Sequence, residues 1–266
     1  MTHTTPADHG LPDRGWTTKK LVQWLRGRFD VCRGTVRAAL RRGGLSWKRC
    51  KKLLGKADPV RRVEFLRRFA ELYAAMCRGE VILVYIDESH FHRDVDLGYT
   101  WGPVGKRVWR VSDCPGLSER INWYGAYDFT AGQCLIWAKG NCNTDHTAEF
   151  LERVADWVDA TKRRVVIIWD GAPWHRANRL KEGAARRGME LLPLPSYSPD
   201  LNPIEGLWKW MREEVTQHVC HATLADLFGA CQAFVETLNT NPEAVVTRLW
   251  PRFELDPEVE KLRFPA

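Results

Sequence analysis

The chain has 266 residues, 44% hydrophobic and 27% charged, a globular composition that excludes disorder, collagen and coiled coil. Its length allows one or two domains and burial of about three-quarters of the unfolded surface, so folding needs no disulfide or metal staple. Apolar runs reach only six residues (Leu72 to Cys77, Val81 to Ile86), too short for a bilayer, and eight cysteines are too sparse for a disulfide framework. With a polar N-terminus lacking a signal-peptide pattern, a reducing cytoplasm is expected.

Charge is unevenly distributed. Residues 1–56 hold 14 basic and 3 acidic side chains, a net of +11, while the other 210 residues carry a net of −4. A basic module on a mildly acidic body suits an anchor for a polyanion; a plain solvated basic face gives the same balance.

In chain order, Leu21, Trp24, Leu25 and Phe29 recur at helical spacing, and after a break near Asp30 a second apolar face follows at Val36, Ala39 and Leu40. Arg33, Arg37 and Arg41 lie four apart, a ridge on one side of that second helix, which Gly43-Gly44 ends. Either a helix-turn-helix with its second helix in a major groove or an ordinary helical hairpin fits. Arg42, Lys48 and Arg49 extend the basic set. Asp58 as N-cap and Pro59 at the first position open a long amphipathic helix over 58–78, read as the connector between modules or as a core helix of the larger one.

From Val81 the pattern changes to strands. Val81 to Ile86 and Val165 to Trp169 are continuous apolar runs, as in strands buried on both faces. Tyr99 to Trp101 and Val108 to Val111 predict a hairpin around Gly102-Pro-Val-Gly105. Ile121 to Tyr127 and Cys134 to Ala138 predict two more strands. Helices are expected over 147–160 and about 176–187, with a short strand at Leu191-Leu192, then a proline-rich loop and further helix. Together these imply a mixed α/β sheet with helices on its faces, preceded by a small all-α module. Trp101, Trp109, Trp123 and Trp137 are expected in the core or on a sheet face.

Both buried strands run into carboxylates: Asp87-Glu88 after the first and Asp170 after the second. Such positions suit a ligand site or simply a capped turn. Glu205 ends the stretch Pro193-Leu-Pro-Ser-Tyr-Ser-Pro-Asp-Leu-Asn-Pro203-Ile-Glu205. With Asn202 as N-cap and Pro203 following, Glu205 has the spacing of a capping box. Four prolines in eleven residues also make a stiff loop able to aim one side chain.

These residues resemble the mariner-type DDE transposases, in the branch found in bacterial insertion sequences. The similar pieces are Tyr85-Ile-Asp-Glu-Ser89, Gly98-Tyr-Thr-Trp-Gly-Pro103, Trp169-Asp-Gly-Ala-Pro-Trp-His175 and Pro195-Ser-Tyr-Ser-Pro-Asp-Leu-Asn-Pro-Ile-Glu205. Between Asp170 and Glu205 lie 34 residues, the separation known in this family. The resemblance implies a ribonuclease-H-like domain over 81–266, a helical linker over 57–80 and a helix-turn-helix DNA-binding module over 1–56. It implies that Asp87, Asp170 and Glu205 hold two Mg²⁺ or Mn²⁺ ions for cleaving and rejoining DNA at insertion-sequence ends, with Glu88 and His175 supporting them. Arg33, Arg37, Arg41, Arg42, Lys48 and Arg49 are the expected DNA contacts. Partners would be double-stranded DNA (terminal inverted repeats and target) and a second copy of the chain, in a bacterial cytoplasm at the nucleoid, without a membrane.

The chain departs from the family at Gly171, where Asn is common. Relatives also carry a further helix-turn-helix upstream, whereas fifteen residues precede Trp16, so a truncated or split copy is expected. The rival readings are a non-catalytic DNA-binding remnant or repressor, and another ribonuclease-H-like nuclease. His90 and His92 read as packing or surface residues. His218, Cys220 and His221, with Cys231 beyond, lack a CxxC, so no zinc site is expected there.

Overall fold

The computed structural model describes residues 4–11, 15–47, 58–160 and 163–249. The chain divides into two compact units, Met1–Leu53 and Leu54–Ala266.

In the first unit, α1 (Thr18–Leu25) is capped by the Thr17 hydroxyl, which accepts from the Lys20 amide. It packs on α2 (Arg33–Arg42) through buried Leu21 and Val36. Phe29, expected on the apolar face of the first helix, falls after its end and is exposed, because the helix stops at Leu25. Trp24 instead packs against His9 and Trp16, with ring centroids 5.1 and 5.8 Å away.

The second unit is built on a five-stranded sheet in the order β3-β2-β1-β4-β5. The strands are β1 (Val81–His92), β2 (Arg120–Asp128), β3 (Gln133–Lys139), β4 (Arg164–Trp169) and β5 (Met189–Pro193). β1 to β3 form an antiparallel meander, while β4 and β5 join on the other side of β1 in parallel. The switch from meander to alternating strand and helix is the one expected from the sequence.

Alternation along β1 feeds two cores. Leu83, Tyr85 and Phe91 face α3 (Pro59–Cys77), α6 (Glu205–Val215), α7 (Leu224–Leu238) and α8 (Pro242–Leu249). Ile82, Val84 and Ile86 face α4 (Thr144–Trp157) and α5 (Asn178–Arg186). Each fully buried Leu, Ile or Phe on these faces contributes roughly 1.5–3 kcal/mol.

Two expectations need correction, and one open reading is decided. Of the two readings of the helix over 58–78, α3, capped as expected by Asp58, takes the second: Phe65, Leu66, Phe69 and Leu72 bury it in the larger unit's core. Its apolar stripe has a sheet face to cover, so it serves as scaffold. The hairpin over Tyr99 to Val111 does not form; the segment lies outside the sheet, with Trp101 100% and Trp109 75% exposed. β-propensity alone builds no strand where no neighbouring edge and no core face are offered. Trp101 and Trp109 are therefore surface residues, whereas Trp123 is buried. Finally, β1 does not stop at Ile86 but runs on to His92, paired with β2 throughout.

Candidate active site

Register places the first two carboxylates. The parallel pairing of β1 with β4 ends at Ile86 opposite Trp169, so the next residues, Asp87 and Asp170, emerge side by side where β4 stops and β1 continues. Asp87 is thus a mid-strand residue opposite Gly125 of β2, held by that ladder on one side and open on the side where β4 has ended, rather than the strand end expected. Gly125 has a steric reason: a Cβ there would lie 2.6 Å from the Trp208 ring. Without it, Trp208 reaches across and its Nε1 donates to Asp87 Oδ2 at 3.0 Å.

The third carboxylate rides on α6. Leu194 and Leu201 bury the ends of the proline-rich loop, and the Leu194 amide donates to the Trp169 carbonyl at 2.7 Å. Fully buried Arg62 of α3 grips Asp200 in that loop with two hydrogen bonds of 3.0 and 2.8 Å. The capping box foreseen for Asn202 and Glu205 is not made: the helix starts at Glu205 with no side-chain cap, and Asn202 Oδ1 is buried without a hydrogen-bond partner. Glu205 is thereby left for other work. It shares one helix face with Trp208 and Arg212, at i, i+3 and i+7. Arg212 lies over the Phe91 ring and donates to Ser89 Oγ at 2.8 Å, so the face is turned on β1.

Electrostatics ties the three acids together. Asp87 is 8% exposed, and burial drives its pKa well above the ordinary carboxylate value, with the charges of Glu205, Glu88 and Asp170 pushing the same way. The Trp208 bond opposes them weakly. Glu205 is also raised, chiefly by desolvation and further by Asp170, while Arg212 pulls it down.

Glu88 points to the opposite face of β1, where His175 Nε2 lies 3.0 Å and Trp174 Nε1 3.4 Å from its Oε1. His175 is buried, stacks on Trp169 at 4.4 Å, and places Nδ1 2.9 Å from Asp170 Oδ1. Burial alone would depress its pKa, but the two carboxylates on its ring nitrogens override this and push it up to about 10. It is a cation at neutral pH. Asp170 is correspondingly lowered: burial would raise it, but the bonds from His175 and the Ala172 amide prevail. Among the described residues the group of ligand-type side chains that closes around Asp170 is therefore Glu88 and His175, not the expected three carboxylates. A cleft of about 720 Å³ opens over this ground, lined by Asp87, Glu88, Asp170, Trp174, Arg120 and Asn122.

Trp208, Trp174 and Arg212 are the participants that the sequence reading missed. The signal lay in their spacing: Trp208 and Arg212 follow Glu205 on one helical stripe, and Trp174 lies four residues after Asp170.

Residues 82–227 match the family model described as DDE superfamily endonuclease. The Tcb2 transposase of Caenorhabditis briggsae is 30% identical over 217 residues, covering 78% of this chain and 77% of that protein. The chain belongs to the DDE superfamily endonucleases. An uncharacterized 39 kDa protein of insertion element IS630 from Shigella sonnei is 26% identical over 250 residues, 90% of this chain and 69% of its own. In fold, the chain resembles the Mos1 strand transfer complex (TM-score 0.57, 18% identity) and the Mos1 mariner paired end complex with Mn (TM-score 0.59, 17% identity). Each match covers 90% of this chain, and they cover 75% and 76% of those chains respectively. The mixed sheet with flanking helices is therefore of the ribonuclease-H-like kind seen in this family.

In the small unit, Arg33, Arg37, Arg41 and Arg42 are all exposed on α2. Lys48 and Arg49 lie outside the described residues. His90 and His92 pack ring to ring at 5.1 Å. No helix among the described residues is long and apolar enough to cross a membrane.

Proposed function

We propose that this DDE endonuclease is a DNA transposase, cleaving and rejoining strands at the ends of its own insertion element, with Asp87, Asp170 and Glu205 as the ligands of Mg²⁺ or Mn²⁺. The observation that carries the reading is Asp87: a buried carboxylate on which three further acidic groups converge, with one indole as its hydrogen-bond donor. So much like charge around hard oxygen donors fits a divalent cation better than any neutral ligand. Two such ions, when bound, stabilise the attacking and leaving oxygens of an in-line phosphodiester displacement.

The chain's own groups do the positioning. Trp208 holds one oxygen of Asp87. Both bonds to Asp170 fall on Oδ1, which leaves Oδ2 for a cation. His175 offsets charge between Glu88 and Asp170 and keeps their carboxylates from moving apart. Arg120, at the cleft wall, suits a phosphate of the DNA strand.

The partner is double-stranded DNA, element end and target, with α2 presenting Arg33, Arg37 and Arg41 as one stripe to it and Arg42 beside them. Two copies, one for each element end, complete the reading, and the apolar side chains exposed between Leu97 and Leu117 are a surface for the second copy to cover. Work on its own element places it at the nucleoid of a bacterial cytoplasm.

The test is to incubate purified protein with labelled DNA from the borders of its own gene and Mg²⁺ or Mn²⁺. Nicking is expected with the parent and is lost in Asp170→Asn. Nicking that persists in that variant refutes the ligand assignment, and salt-sensitive binding without nicking in the parent favours a non-catalytic DNA-binding protein.

A further inference from the structure

A second cluster of ligand-type side chains lies outside the acidic cleft. Cys220, in the connection from α6 to α7, meets Cys114, which sequence spacing gave no reason to pair with it: their sulfurs are 3.5 Å apart. Asp94 joins them, and one ligand atom from each of the three lies within 4.8 Å of the others. We propose that Asp94, Cys114 and Cys220 bind a thiophilic divalent cation of the zinc class, with His92 closing the fourth corner.

The separation of the sulfurs favours a metal over a bridge. A disulfide needs about 2.05 Å, whereas a tetrahedral ion with bonds of about 2.3 Å to sulfur sets two thiolates about 3.8 Å apart.

The three segments are also brought together by bonds that involve no ion. The His221 amide donates to the Arg93 carbonyl at 3.0 Å, the His218 amide to the Asp96 carbonyl at 2.8 Å, and Asp96 bridges to Gln217. These lay residues 93–96 along 217–221 and set Cys220 beside Asp94. On the other side, Ser112 Oγ donates to Asp94 Oδ1 at 2.5 Å and draws in the stretch that carries Cys114. A site assembled in advance binds without the cost of ordering its ligands.

His92, two residues before Asp94, has a buried Nδ1 with no hydrogen-bond partner among the described residues and lies near enough to Asp94 to act on it. An imidazole nitrogen in that condition is a fitting fourth donor. Binding replaces the two thiol protons, which go to solvent. Two thiolates and one carboxylate around a divalent ion leave one negative charge, and Arg93, which acts on both thiols, faces it. The ion would pin the exposed segment after β1 to the body next to α7.

Cobalt distinguishes this site from the acidic cleft, because only a thiolate-ligated Co²⁺ shows sulfur-to-metal charge-transfer absorption. The protein, stripped with EDTA and titrated with CoCl₂, is expected to develop that absorption with one Co²⁺ per chain and to lose it on adding Zn²⁺. Cys114→Ser and Cys220→Ser abolish it, His92→Ala weakens Co²⁺ binding at least tenfold, and exposed Cys32→Ser and Cys77→Ser leave it intact, as does Asp170→Asn. Absence of the absorption in the parent, its survival in Cys114→Ser together with Cys220→Ser, or a Cys114–Cys220 disulfide in protein purified without oxidant overturns the proposal. None of these results depends on strand cleavage, so the site stands or falls apart from the transposase reading.

Discussion

Asp87 and Glu88 are neighbours in sequence with opposite electrostatic surroundings. Glu88 faces the α4 side of the sheet, where buried His175 supplies a full positive charge to it and to Asp170. Asp87 faces α6, where the nearest help is one indole and the nearest charges are other acids. One side of the strand is settled within the fold; the other is left unbalanced. Folding alone gives no reason to keep an unbalanced buried carboxylate, and the imbalance is what the proposed cation would relieve.

The strongest way to break this comparison is Asp87→Asn. Strand cleavage is expected to fall by about 10³-fold, the loss of several kcal/mol of charge stabilisation at the reacting phosphate. The same change should stabilise the metal-free fold. Because the folded-state pKa of Asp87 is raised, its protonated form favours folding at low pH, and that contribution is lost as pH rises from about 4 through the elevated pKa. In EDTA the variant should therefore melt above the parent at pH 7 and close to it at pH 3.5. A parent melting curve independent of the substitution at pH 7 would mean that Asp87 is already compensated.

A settled carboxylate should behave in the opposite way. Asp200→Ala removes the bidentate partner of fully buried Arg62 and is expected to cost about 2–3 kcal/mol in denaturant unfolding. It should also slacken the loop that carries Glu205, lowering cleavage while the fold persists. His175→Gln deletes the cation between Glu88 and Asp170. Cleavage should drop by about 10- to 100-fold, the usual toll of losing a group that orients a metal ligand, and higher Mn²⁺ should recover part of it.

The smallest effect is expected at Glu190, paired on the sheet edge with Arg164 and Arg68. Its pKa is lowered, first by Arg164, so its contribution is present above the ordinary carboxylate range and disappears as pH falls. The pair is more than one-third exposed, so Glu190→Gln should cost at most about 0.5 kcal/mol at pH 7 and nothing near pH 3. A larger loss at neutral pH would mean that this edge is shielded from solvent.

Much of this was legible from the residues. Val81 to Ile86 and Val165 to Trp169 could hardly be anything but central strands, and Asp58-Pro59 marked a helix start to the residue. The acids at 87, 170 and 205 were visible because each interrupts or ends an apolar or rigid stretch. What stayed hidden depends on partners distant in sequence. Nothing local to Tyr99–Val111 says that no strand edge awaits it. The spacing at Asn202 and Glu205 is equally good for a capping box, and only packing decides that the helix begins two residues later. The role of His175 needed both carboxylates in place, and Cys114 had no signal until Cys220 was set beside it.

The continuation of β1 past the end of β4 has a practical corollary. Since Asp87 is clamped mid-ladder, whatever joins His92 to Arg120 can change length or composition without disturbing it, and doubling such a connection costs only about 0.6 kcal/mol in closure entropy. The fold thus offers an insertion port between two strands of its central sheet, where new docking or sensing parts can be grafted while Asp87 keeps its place in the ladder.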